Sequence, residues 1–295
     1  MRLVVGFLAT PGGADALALG VRLARTLGAT LEVCIVLPPE RLLRTVVPPE
    51  GYDELLAEQA RGWLTEALAT VPDDVTAHSH VTFDDSFAEG IIRETMRLEA
   101  DAIVVGGSGG GLAGSYSLGS VVNELLHSAP VPVAVAPRGL RESPVTKVRE
   151  VTCAIGRREG ADLLLDFAVR FSGSAGTPLR LVSLVALDPA FGTLRGDVDA
   201  VHQQALEHAH RTLEAAKRDL PEGFPVTSTV VDGSTVEAAV GRLEWHDGDV
   251  IMVGSSRLSA PRRLFLGSTA AKMLRVLDVP MVVVPRDQLT RDDLP

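Results

Sequence analysis

The sequence predicts an α/β protein built from two tandem copies of one domain, each an open five-stranded parallel sheet with helices on both faces. Three observations carry this prediction. Hydrophobic residues make up 46% of the 295 positions and aromatic residues only 4%, so the core must be Val, Leu, Ile and Ala, as in a sheet buried on both faces. The chain also repeats itself at an offset of 148 residues (249 − 101), where Asp101-Ala-Ile-Val-Val-Gly106 matches Asp249-Val-Ile-Met-Val-Gly254. Gly119-Ser120 and Gly267-Ser268, Pro132 and Pro280, and Gly28 and Gly176 keep the same offset. A period this long marks duplicated domains, not a solenoid. Finally, short apolar runs alternate with helix-periodic ones, which is the pattern of parallel strands joined by crossover helices.

In the first copy, Leu3–Gly6 reads as a strand and Ala14–Leu27 as a helix stopped by Gly28. Thr30–Leu37 is a second strand, Tyr52–Thr70 an amphipathic helix ended before Pro72, and Val75–Phe83 an alternating, half-buried strand. Ser86 and Glu89 have capping-box spacing, and Ser234 and Glu237 repeat it in the second copy. The helices behind these caps lead into strands at Ala102–Val105 and Val250–Val253. The last strands are "PVAVAP" and "PMVVVP". The predicted boundaries are residues 1–138 for the first domain, 139–150 for a charged linker, 151–286 for the second domain and 287–295 for a disordered tail.

The net charge of −10 argues against a nucleic-acid partner, which needs a basic surface. No run of 18 apolar residues suggests a membrane span, and the N-terminal apolar run is too short for a signal peptide. Cys34 and Cys153 follow no metal or redox spacing, which fits buried thiols in a reducing cytoplasm.

The stretch "VVGGSGGGLAGSYSLGS", residues 104–120, is the chemical focus. It starts at the carboxyl end of a predicted strand and ends where a helix begins. Glycines let backbone N–H groups approach phosphate oxygens, and the helix start adds free donors. Gly106-x-Ser108-x-Gly110 matches an esterase nucleophile pattern, but that motif needs a helix directly after the serine, and the second copy breaks it. Gly109-x-Gly111-x-x-Gly114 matches a dinucleotide fingerprint, but it follows the fourth strand and not the first. The chain has no Walker-type phosphate loop. Both copies keep the first Gly and a Gly-Ser pair 13 residues later, which argues against a mere spacer.

Gly106-x2-Gly109-x9-Gly119-Ser120 resembles the G-2x-G-9x-G-S/T signature of the universal stress protein family, and the resemblance extends over the whole chain as a tandem member. It implies a Rossmann-like sheet of order 3-2-1-4-5, with ATP, and Mg²⁺ where it accompanies the phosphates, between strands 1 and 4. Gly106, Gly109, Gly119 and Ser120 would then hold ribose and phosphates, with Val36 and Val121 completing the nucleotide-binding set. It also implies that the two copies pair through their last strands, and it leaves room for a homodimer and a protein partner in a stress-adaptation role. The second copy's degenerate site is Gly254, Arg257, Gly267 and Ser268, with Arg257 where the second glycine belongs.

The family's acid after the first strand is missing from both copies: Leu8 and Arg158 stand in its place. Losing a hydrogen bond to a charged group costs about 1.5–3 kcal/mol, or roughly 10- to 100-fold in affinity. The expectation is therefore modest ATP binding chiefly in the first copy, with the second mainly a structural partner. Arg257, Arg262 and Arg263 read as surface arginines or as an anion-holding group. A cyclic nucleotide in place of ATP, a nucleotide-independent interaction module and a slow ATPase are the competing readings. For the last, Asp84 and Asp85 are the carboxylates that could approach the site, and no catalytic residue is assigned. His78 and His80 share one strand face without a third metal ligand, and His202, His208 and His210 read as solvent-facing on a polar helix. The proline-rich stretch 36–51 is either a flap or a rigid connection.

Overall fold

The computed structural model describes residues 1–40, 51–107, 119–156, 161–186, 198–255 and 264–285. The first half runs β1 (Arg2–Gly6), α1 (Pro11–Leu27), β2 (Thr30–Leu37), α2 (Tyr52–Leu68), β3 (Ala77–Phe83), α3 (Phe87–Arg97), β4 (Ala102–Gly106), α4 (Ser120–Ser128) and β5 (Val133–Ala136). The second half runs β6 (Glu150–Ala154), α5 (Ala161–Ala175), β7 (Leu179–Ala186), α6 (Val198–Arg218), β8 (Val226–Gly233), α7 (Val236–Val240), β9 (Asp249–Gly254), α8 (Ser268–Leu274) and β10 (Met281–Val284).

All ten strands form one sheet of order β3-β2-β1-β4-β5-β10-β9-β6-β7-β8, so each half has the order 3-2-1-4-5. Pairing is parallel within each half. The halves meet at β5 and β10, which run antiparallel with Val135 opposite Met281 and Val133 opposite Val283. Both faces of the sheet are buried. On one face, Leu3, Val5, Leu31 and Val33 pack with α1 and α2 in the same cluster as Val151, Cys153, Leu179 and Leu181 of the second half. On the other, Val4, Ile103, Val133 and Val135 share a cluster with Ile251, Val253, Met281 and Val283. Both apolar clusters therefore run across the join.

Local sequence chemistry explains the helix that anchors the first site. The Thr10 side chain accepts a hydrogen bond from Gly13 N, Pro11 stands at the first helical position, and Gly28 ends α1 with φ of +66°. The second half departs from its sequence reading at the equivalent of α3. Thr235, not Ser234, caps α7 and accepts from Ala238 N. The cap lies one residue later than the repeat predicts, and the helix spans five residues where α3 spans eleven.

The segment between the halves is a strap, bound along one face of α1. The buried Asp15 carboxylate accepts from the Gly139 and Arg141 amides and from the Arg141 guanidinium. Arg22, 3% exposed, donates to Val145 O and Ser143 Oγ and reaches Asp247 of the second half at 3.3 Å. Its Nη1 has no partner among the described residues. Thr26 Oγ1 accepts from Val148 N. Positions 15, 22 and 26 fall on one helical stripe, so α1 holds the strap along its length.

Sequence reasoning sets His78 and His80 on a solvated strand face; His78 is exposed there, whereas His80 is half-buried. His80 Nε2 lies 2.6 Å from Glu32 and His78 Nδ1 3.4 Å from it, while Glu32 is itself buried. Arg97 bonds both Glu94 and His80. Arg2 stands 4.0 Å from Glu32, and at the repeat-related positions Arg180 stands 3.2 Å from Glu150. The pair is kept with its charges exchanged. On α6, His210 is exposed as expected, whereas His202 lies 3.5 Å from Asp232 and His208 is half-buried.

Candidate functional site

In an open parallel sheet, ligands sit beyond the carboxyl ends of the strands where the chain order reverses. That point lies between β1 and β4 in the first half and between β6 and β9 in the second. Each is approached by a helix that starts at the repeated Gly-Ser pair.

Those two helices, like α2 at Gly51, start without the side-chain cap that α1, α3 and α7 have. Thr10, Ser86 and Thr235 each close a helix start with a side-chain hydrogen bond. Gly119 and Gly267 cap α4 and α8 with no side-chain bond. Their φ values of −65° and −69° suit any residue, so glycine is not there to relieve backbone strain. What it does is leave the opening amides uncovered, the arrangement that receives an anion. Ser120 and Ser268 follow at the first helical position, both exposed.

The first half is tightly packed at its switch point. Gly106 ends β4 against the first turn of α1, where a Cβ would lie 1.9 Å from Gly12 O. The first glycine of the signature thus has a packing reason independent of any ligand. At the end of β1, a Cβ on Gly6 would meet Val105, Phe87 and Ile91 at 3.2–3.5 Å. Val36 is buried and lies under α3, whose Gly90 leaves room for it. Val121 is half-buried against the same core. Leu8, at the place of the missing acid, is 43% exposed. Asp84 is engaged by Arg93 and by the Ser86 amide. Gly109, Ser108, Arg158, Arg257, Arg262 and Arg263 lie outside the described residues, as do residues 41–50 and the tail.

The second half encloses a cavity of about 240 Å³ at its switch point. Ile155 and Gly156 line it from the end of β6, Gly254 and Ser255 from the end of β9, Leu184 from β7, and Gly267 and Thr269 from the start of α8. Leu184 is the repeat counterpart of Val36. Ile155, Gly156 and Ala161 also line a second cavity of about 330 Å³, which continues between α5 and α6 past His208, Arg211 and Thr212.

Sequence reasoning missed Ser255. Its hydroxyl accepts from Phe265 N at 2.8 Å and donates to Phe265 O at 3.3 Å, tying the end of β9 to the residue two before Gly267. The repeat holds Gly107 at that position, and that contrast was the available signal. Among the described residues, no group of three His, Cys, Asp or Glu side chains could hold a metal ion. No described helix is long and apolar enough to cross a membrane.

Fold and site together define a duplicated α/β protein with a topological switch point at the carboxyl end of each half-sheet. The sequence profile of the universal stress protein family matches residues 1–137 and again 147–285. The chain belongs to the universal stress protein family, as a tandem member. It is similar to universal stress protein Rv2319c of Mycobacterium tuberculosis, with 27% identity over 293 residues that cover 97% of this chain and 100% of the relative. Among solved structures it resembles a universal stress protein from Archaeoglobus fulgidus, at TM-score 0.67 and 19% identity, covering 97% of this chain and 98% of that one. A universal stress protein from Pseudomonas aeruginosa aligns at TM-score 0.58 and 16% identity, over 96% of this chain and 92% of that one.

Proposed function

We propose that this protein is a non-catalytic regulator of stress adaptation that responds to an adenine nucleotide, with ATP as the ligand to test first. The observation that carries this reading is the second-half cavity, bounded by Gly254 and Gly267 of the repeated signature. Small-molecule pockets run from about 300 to 1,000 Å³. A cavity of about 240 Å³ suits a base with part of its ribose, and the phosphates would extend toward Gly267-Ser268 at its mouth. Any Mg²⁺ would arrive on those phosphates.

This assigns the leading role to the second half, whereas sequence reasoning favoured the first. The reason is packing. Phe87 and Ile91 cover the end of β1 in the first half, while the equivalent Ala154 lines the open cavity in the second. The exposed Leu8 supports a second reading, in which the first half binds a protein surface and no nucleotide.

Calorimetric titration with MgATP of wild type, Gly119→Glu and Gly267→Glu, each confirmed folded, separates these readings. Loss of binding in Gly267→Glu alone is the expected result. Loss in Gly119→Glu alone would move the site to the first half. No binding by stripped wild type would sink the nucleotide reading and leave the interaction module.

A further inference from the structure

The residues that lead into Gly267-Ser268 of the second half are held by a helix of the first half. Leu264 N donates to Ala129 O and Leu266 N donates to Leu126 O, both at 2.9 Å. These acceptors are carbonyls at the C-terminal end of α4, which an ending helix leaves unpaired. Between the two bonds, Phe265 meets His127 edge-to-face, with ring centroids 4.7 Å apart and planes at 85°. His127 Nδ1 donates to Asn123 O at 2.5 Å, which fixes the ring. The Leu264 and Leu266 side chains are buried in the cluster that contains Leu125 and Leu126. Gly267-Ser268 follows at once.

We infer that α4 of the first half is a positioning element of the second half's site, with His127 and Phe265 clamping the segment that presents Gly267-Ser268. The inference rests on the nucleotide reading above and adds to it an obligatory contribution from the other half. The same helix starts at the first half's own Gly119-Ser120. At about 1.5 Å per residue, its nine residues join the two signatures across about 13 Å of rigid backbone. The repeat places Arg275 opposite His127 and Ser117 opposite Phe265, so the ring pair has no counterpart at the repeat-related positions.

The test uses the full chain. Hydrogen exchange at the Leu264 and Leu266 amides is measured without ligand in wild type, His127→Ala and His127→Phe, beside MgATP titrations and melting curves. An edge-to-face ring pair at this contact corresponds to roughly a two- to tenfold change in local opening. His127→Ala is expected to speed exchange at both amides by that factor and to weaken ATP binding by a similar one, with the melting temperature little changed. His127→Phe, which keeps a ring, is expected to restore both. Unchanged exchange in His127→Ala would overturn the clamp. So would faster exchange with unchanged ATP affinity, because the segment would then be held but would not position the site. If wild type binds no ATP, the nucleotide reading fails by itself and the clamp is decided by exchange alone.

Discussion

Asp15 shows how much one buried residue can organise. Its carboxylate is 1% exposed and takes two backbone amides and a guanidinium from the strap. Asp15→Ala leaves the Gly139 and Arg141 amides without an acceptor, and urea denaturation should show a loss of about 1.5–3 kcal/mol. A loss below 0.5 kcal/mol would mean that water replaces the carboxylate freely. The cysteines give a second residue-scale prediction. Burial pushes the Cys153 thiol up to about 12, and burial together with Glu94 and Glu32 pushes Cys34 up as well. A thiol whose folded value is raised stabilises the fold below its ordinary value near 8.5 and loses that contribution as pH rises toward the folded value. Both cysteines should therefore resist a thiol reagent at pH 8 in the folded protein and react once urea unfolds it. Rapid labelling of the native protein would contradict their burial. The burial of the cysteines was legible in the sequence, but the polar partners were not, because they lie far away: Asp15 meets residues 124 and 126 positions on, and Glu32 meets His80 48 positions on.

At the scale of elements, strands and their order were the most legible part. Thr30–Leu37 has the same bounds in the structure as in the sequence reading, because a largely apolar run, broken only by Glu32, between a helix-ending glycine and prolines leaves little choice. The cap of α7 was not legible to the residue. Ser234 and Thr235 are both good caps, and tertiary packing selects the second. Thr235→Ala should lower stability by about 1 kcal/mol in thermal or urea unfolding, and Ser234→Ala by less than about 0.5 kcal/mol. Equal effects would show that the helix start is shared between them. The site was partly legible. The Gly-Ser pairs sit where the spacing put them, at uncapped helix starts. The open cavity was not foreseen, because its volume depends on side chains of β6, β7, β9 and α8 that meet only in the fold.

At the scale of the molecule, the apolar clusters that cross the β5–β10 join predict one cooperative unit. The two tryptophans test this directly, since Trp63 lies in the first half and Trp245 in the second. In a Trp63→Phe variant, fluorescence reports the second half alone, while circular dichroism reports the whole chain. The two signals should give coincident urea midpoints. Separate midpoints would show halves that unfold independently, which is the behaviour expected if residues 139–150 were a slack linker. The duplication was plain in the sequence, but the strap was not. Its charge reads as that of a linker, yet Gly139, Arg141 and Val148 serve hydrogen bonds to α1.

The antiparallel join has a further consequence. Following the pairing from β4 through β5 and β10 to β9, Gly106 stands level with Val250, and Gly254 with Ala102. The two crevices therefore open toward opposite ends of the sheet, and a flat partner that covers one mouth leaves the other in solvent. The molecule is double-ended, and whatever occupies one pole does not touch what occupies the other.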